Sequence, residues 1–115
     1  MSAEAQLNAL LLAAPDVVEI VGTNIFHGIA TAEDTPAISY MRDATEYNQS
    51  ISGHAHEGSD RVLLNIFCAG KEVGIATLLA DKVCEIPEII SARRNRSTTY
   101  EAELYAVVIS VELWE

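Results

Sequence analysis

The chain has little positive charge. Seven Lys and Arg stand against 17 Asp and Glu, for a net charge of −10. A grip on DNA or RNA phosphates needs a basic surface, and so does attachment to an anionic membrane, so the balance argues against both. Cysteine is scarce as well. Cys68 falls in an apolar strand pattern and Cys84 in a helical one. Two isolated cysteines read as buried thiols in a reducing cytosol rather than as a disulfide framework. No apolar run approaches the roughly 20 residues that span a bilayer. The run Leu7–Ala14 is preceded by Glu4 and by no Lys or Arg, so it does not read as a signal peptide. Internal repeats, low-complexity tracts and linkers are missing. So are G-x-S-x-G, C-x-x-C and G-x-G-x-x-G. Gly70-Lys71 lies between a strand and a helix, but a phosphate loop would need Gly at Asn65 and Ser or Thr at Glu72.

What is present describes one domain. Half of the 115 residues are apolar, which suffices for a modest core without staples. The periodicities give a small α/β or α+β domain with surplus apolar strand surface. The charge is uneven. Residues 1–60 carry nine acids and one base, Arg42, while 61–115 carry eight acids and six bases. An acidic half beside a near-neutral half is compatible with self-docking of unlike faces.

The stretch Tyr100–Trp114 has no Gly, Pro, Asn or Asp and reads as one long central strand. Its apolar positions are even at Tyr100, Ala102 and Leu104 but odd at Ile109, Val111 and Leu113. A strand has a period of two, so the switch predicts a bulge near Ala106–Val108 or a second apolar partner at one end. Trp114 is read as a core plug.

From the beginning, Ser2 is an N-cap, with Leu7, Leu10, Leu11 and Ala14 at helical spacing. Pro15 restarts the chain, and Asp16–Val21 reads as a short second helix with Val17, Val18, Ile20 and Val21 buried, ended by Gly22. Asn24–Ala30 and Ala37–Ala44 are strand candidates around a polar loop. Arg61–Ala69 is a strand with Val62, Leu64, Ile66 and Cys68 on one face and Leu63 and Phe67 on the other, so both faces are at least partly covered. Lys71–Ile86 is an amphipathic helix with Ile75, Ala76, Leu79, Val83 and Ile86 inward. Ile89–Ala92 then pairs with the final strand as a C-terminal hairpin, turning at Arg93-Arg94-Asn95-Arg96-Ser97.

Glu46–Asp60 holds two glycines, three serines and an asparagine, and reads as a long polar hairpin arm or loop. Within it, His54, His56 and Glu57 are metal-ligand types close together. They lack a third histidine and a rigid frame, and a solvated loop accounts for them more simply. His27 is a core or edge histidine. Arg93, Arg94 and Arg96 form the one basic cluster. It suits a solvated turn, or docking onto an acidic patch of another copy or protein.

Four segments together resemble the tail terminator (tail completion) family of long-tailed bacteriophages, prophages and gene transfer agents. They are the leucine helix running into Ile20-Val21-Gly22-Thr23-Asn24-Ile25-Phe26-His27-Gly28, then Pro36-Ala37-Ile38-Ser39-Tyr40, then Arg61–Cys68 with the helix Lys71–Val83, and the last apolar strand. The resemblance covers nearly the whole chain in order. Its matching positions, Gly22, Ile25, Phe26, Gly28, Pro36, Tyr40 and Leu79, are framework residues. It implies an α+β fold: a mixed, mainly antiparallel sheet with an N-terminal helix and a second helix at about 71–86 packed on one side. It also implies a virion structural protein with no catalytic residue, metal or cofactor. The expected assembly is a ring, usually six-fold, that caps the tail tube and meets a head-completion or stopper protein. DNA is then only passing cargo, and the chain resides in the virion after assembly in the host cytoplasm. Tyr47, Ile51, His54, His56 and Glu57 of the arm, with Arg93, Arg94 and Arg96, are the candidate subunit or partner interface. The alternatives are another connector, stopper or tube component, and a small metal-binding enzyme using His54, His56 and Glu57.

Overall fold

Ser2 opens the first helix, its Oγ accepting from the Ala5 N–H at 3.1 Å. In the computed structural model, which describes residues 2–28, 35–42, 61–101 and 103–114, this helix is α1, Ala3–Leu12. Its buried face is Ala3, Leu7 and Leu11, one side of a 3.6-residue period. Pro15 starts α2, Pro15–Val21, where a missing N–H costs nothing. Val17 and Val21 are buried, whereas Val18 and Ile20 are only half-buried. Gly22 ends the helix at a φ of 60°, a conformation that favours glycine.

Three strands follow. β1 is Ile25–His27, β2 is Ala37–Arg42 and β3 is Arg61–Gly70. β1 is shorter than the periodicity suggests, since Gly28 has already left the strand, and Asp43 and Ala44 of the second expected strand lie outside the described residues. The expected arm Glu46–Asp60 lies outside the described residues, and with it Tyr47, Ile51, His54, His56 and Glu57. After β3 comes α3, Val73–Cys84, burying Ala76, Leu79, Ala80 and Val83. Ile75, expected inward, points out at 37 % exposure. It lies about 100° around the helix from Ala76, on the flank away from the sheet.

The last third departs most from expectation. Pro87 begins a helix rather than merely ending one: α4 is Pro87–Ala92, with Ile89 buried. Ile89–Ala92 is therefore not a strand. The arginines are not a turn either. They open β4, Arg93–Glu101, which pairs antiparallel with β5, Leu104–Trp114. The stretch expected to be one strand is thus a hairpin, with Glu101 opposite Leu104 and Glu103 at a φ of 65°. This explains the parity switch. Tyr100 and Tyr105 are directly opposite, so the shared face changes from even to odd numbers across the turn. No bulge occurs at Ala106–Val108. The register shift falls instead between Arg93 and Asn95.

The fold is α+β. The described strands form one sheet in the order β1-β2-β3-β5-β4, with β1 and β2 parallel and every other pair antiparallel. The four helices among the described residues pack on one face. α3 lies over β3 and β5, α4 over β5, and α1 across β1, β2 and β3. The core between the layers is Ile38, Leu64, Ile66, Cys68, Val107, Ile109 and Val111, all fully buried by the helices. No second partner is needed to cover Val107, Ile109 and Val111. Among the described residues no helix is long and apolar enough to cross a membrane.

Candidate functional site: the helix-free sheet face and the β4 edge

Since the helices take one face, alternation in the strands decides what the other carries. The pairing aligns Phe26 with Ser39, Phe67, Val108 and Ser97 in one row across all five strands. A neighbouring row runs Met41, Asn65, Ser110 and Asn95, and another runs Ala37, Ala69, Ala106 and Thr99. Phe26, Met41, Leu63, Phe67, Val108 and Leu104 are half-buried on this face. The Ser110 hydroxyl donates to Asn65 Oδ1 at 2.8 Å, so these two polar groups of the row satisfy each other. A groove of about 230 Å³ lies here, lined by apolar Met41, Phe67, Leu104 and Ala106 with polar Ser39, Thr99 and Glu101 at its side. Such a face, partly apolar and uncovered by the described helices, suits a protein partner better than a small molecule.

One end of the face is charged. Glu112 of β5 receives Arg94 Nη2 at 2.7 Å and lies 3.4 Å from Arg61 Nε. One carboxylate therefore ties β3, β5 and β4 together. The bulge between Arg93 and Asn95 is placed where Arg94 can reach it. Arg96 turns to the opposite face. Its Nη2 meets Asp81 Oδ1 of α3 at 2.8 Å, and its Nη1 lies 3.9 Å from Cys84 Sγ. Burial works most strongly against the Arg96 charge, but the hydrogen bond and attraction to Asp81 together with the contact to Cys84 outweigh it, and the pKa lies above the ordinary guanidinium value. Arg93 is exposed. The three arginines are thus divided: Arg94 and Arg96 hold the monomer together, and Arg93 faces solvent.

Trp114 is not a core plug. It is 58 % exposed at the end of β5, and its carbonyl accepts from Gln6 Nε2 at 2.8 Å. His27 lies at an edge, stacked on Tyr40 with ring centroids 5.2 Å apart and planes 6° from parallel. Burial raises the Tyr40 pKa, with Glu4 adding to the effect. Glu4 in turn accepts two bonds from Arg42, at 2.6 and 2.9 Å, which hold its carboxyl below the usual range. Cys68 is fully buried and its thiol is pushed far up by burial, so it is no nucleophile. Cys84, expected to be buried, is half-exposed. Among the described residues no group of three or more His, Cys, Asp and Glu could hold a metal ion.

Helices on one face, an apolar second face and a terminal hairpin are together a specific arrangement. The fold as a whole is similar to that of a chain in the virion of a native gene transfer agent particle. The two superpose with a TM-score of 0.65 over 98 % of this chain and 93 % of that one, at 11 % identity. At that identity the likeness establishes the fold. No protein-family model and no curated protein matches the sequence. The helix-free face was not legible as a site beforehand. The one signal for it in the sequence is the second apolar set in β3, Leu63 and Phe67, which by itself implies no more than partial burial.

Proposed function

We propose that this protein is a structural component of a phage-like virion, and specifically a tail terminator. It would assemble as a ring, six-fold by the family's habit, on the head-proximal end of a tail tube. It would stop tube growth there and present a surface to a head-completion protein. The observation that carries this reading is the fold shared along nearly the whole chain with a gene transfer agent virion chain. The resemblance of the segments Ile20–Gly28, Pro36–Tyr40, Arg61–Cys68 with Lys71–Val83, and the last strand supports the terminator reading in particular.

The physical chemistry supports a role in binding rather than catalysis. The helix-free face offers apolar area where a protein partner can displace water, with Trp114 exposed at its end as an anchor. A net charge of −10 around a channel would repel passing DNA phosphates rather than hold them. The arm residues Tyr47, Ile51, His54, His56 and Glu57 remain part of the proposed interface.

The test is assembly. Purified protein, alone and with tail tubes, is examined by light scattering and negative-stain imaging. Rings at tube ends are the expected result. Failure to form rings even on tubes overturns the reading. Rings along the tube wall or inside the head would make it a tube or connector component instead. Stoichiometric zinc or nickel in the purified protein, lost on His54→Ala, would favour the metalloenzyme alternative.

A further inference from the structure

A groove runs along the helix layer between α1 and α4. Two adjoining cavities of about 500 and 370 Å³ make it up, and they share Leu10 and Glu88. Along α1 it extends from Gln6 to Ala14, about 12 Å of helix. Its floor is apolar, with Ile86 buried and Leu10, Ala14 and Ala92 half-buried. Its rim is acidic. Glu85 is answered by Lys82 at 3.5 Å, but Asp16 and Glu88 are exposed and meet no cation among the described residues.

α4 carries the complement of this groove on its other flank. Ile90 is 63 % exposed, more than any other large hydrophobic residue described. At roughly 100° per residue it stands about 150° around the helix from the mean direction of Glu88, Ser91 and Ala92, which line the groove. Arg93 follows at the end of α4 and is exposed as well. Arg42, Arg61, Lys82, Arg94 and Arg96 each meet a carboxylate. Arg93 and Lys71 meet none among the described residues, and Lys71 has Glu72 next to it in the chain. One flank of α4 thus presents an exposed apolar side chain with a cation, and the other an apolar groove with two anions.

We propose that Ile90 and Arg93 of one copy dock into the α1–α4 groove of a second, Ile90 against the floor and Arg93 facing Asp16 and Glu88. Burying Ile90 removes apolar surface from water, and the arginine relieves the repulsion that two chains of net charge −10 otherwise meet. The giving and receiving surfaces differ, so the contact is heterologous. Each copy gives on one flank and receives on the other, and the series closes into a ring when the rotation allows it. This contact deepens the ring reading and rests on it for closure. It leaves the helix-free sheet face open for the tube or the head-side protein.

Mixing two variants tests the contact. Ile90→Asp spoils the giving side and Ala13→Arg the receiving side. Both positions are exposed, so melting followed by circular dichroism should match the native chain. Ile90→Ser and Ala9→Arg replace either one that fails to fold. By sedimentation equilibrium the native chain should associate below roughly 1 mM, and each variant alone should stay monomeric. Mixed one to one, the two variants should form a dimer that grows no further, since one good interface remains. Arg93→Glu should weaken native association about tenfold, and adding Glu88→Arg to the same chain should recover most of that loss. Four results overturn the proposal: a native chain that is monomeric at roughly 1 mM, a mixture that gives anything but the capped dimer, normal association of Arg93→Glu, or no recovery in the double variant. Rings on tubes that persist in Ile90→Asp would refute this contact and leave the ring reading intact. Head-to-tail association that never caps a tube would do the reverse.

Discussion

Tyr100 and Tyr105 stand opposite each other on β4 and β5 with ring centroids 4.5 Å apart. They are five residues apart in a stretch whose composition describes a single strand. Between them Glu103 takes a φ of 65°, where a side chain is strained. Glu103→Gly removes that strain at the turn. It should raise stability by about 1 kcal/mol in urea unfolding without altering the slope of the transition. Unchanged stability would mean that the turn is set by strand pairing alone.

At the centre of the sheet Ile66 and Ile109 are paired and fully buried. Ile109→Ala removes methyl groups where sheet and α3 meet. A cost of about 2–5 kcal/mol is expected, at the upper end if the helix cannot settle. Val108→Ala, one residue along but on the other face, should cost much less. The difference between the two variants, read from denaturant midpoints, reports which face is the core.

The Glu4–Arg42 pair ties α1 to β2. Because Arg42 lowers the folded-state pKa of Glu4 from its ordinary value of 4.5, the pair stabilises the protein above that pH. The contribution is lost as pH falls through the lower, folded value. Glu4→Gln should therefore be destabilising at pH 7, by roughly 0.5–1 kcal/mol given the exposure of Arg42. The deficit should vanish in strong acid. A deficit that persists there would assign it to packing.

Two thiols should behave differently. Cys84 is half-exposed at the end of α3 and Cys68 is fully buried. A thiol reagent should modify Cys84 in the native protein and Cys68 only on unfolding. Rapid modification of both would show that β3 opens readily.

Trp114 supplies a further separation of roles. As an exposed residue it should tolerate Trp114→Ser within about 0.5 kcal/mol in the isolated chain. If the helix-free face docks a partner, the same change should weaken assembly about tenfold or more. Undiminished assembly on tubes would remove the residue from the interface.

Much of this fold can be read from pattern alone. The α1 stripe, the two-faced β3 strand and the inward side of α3 follow from periods of 3.6 and 2. Fold class followed from the family resemblance. The C-terminal third resisted for a local reason. Its hairpin turns between Glu101 and Leu104, where the sequence carries none of the usual turn residues, whereas Asn95-Arg96-Ser97 looks like a turn and lies in a strand. Pairing with β5 overrode local propensity. The site was partly legible. The three arginines are adjacent in sequence, but their division between Glu112, Asp81 and solvent depends on a bulge that spacing does not reveal.

At the opposite end of the sheet β1 is three residues long, and Gly28 follows it with a φ of 121°. A strand that short offers too little backbone to recruit another chain. Among the described strands the molecule therefore has one edge able to propagate a sheet and one that terminates it. Whatever adds to β4, growth in that direction ends at the far β1 if the addition is a second copy. A protein concentrated in a growing particle can in this way expose a long sticky strand without seeding fibres.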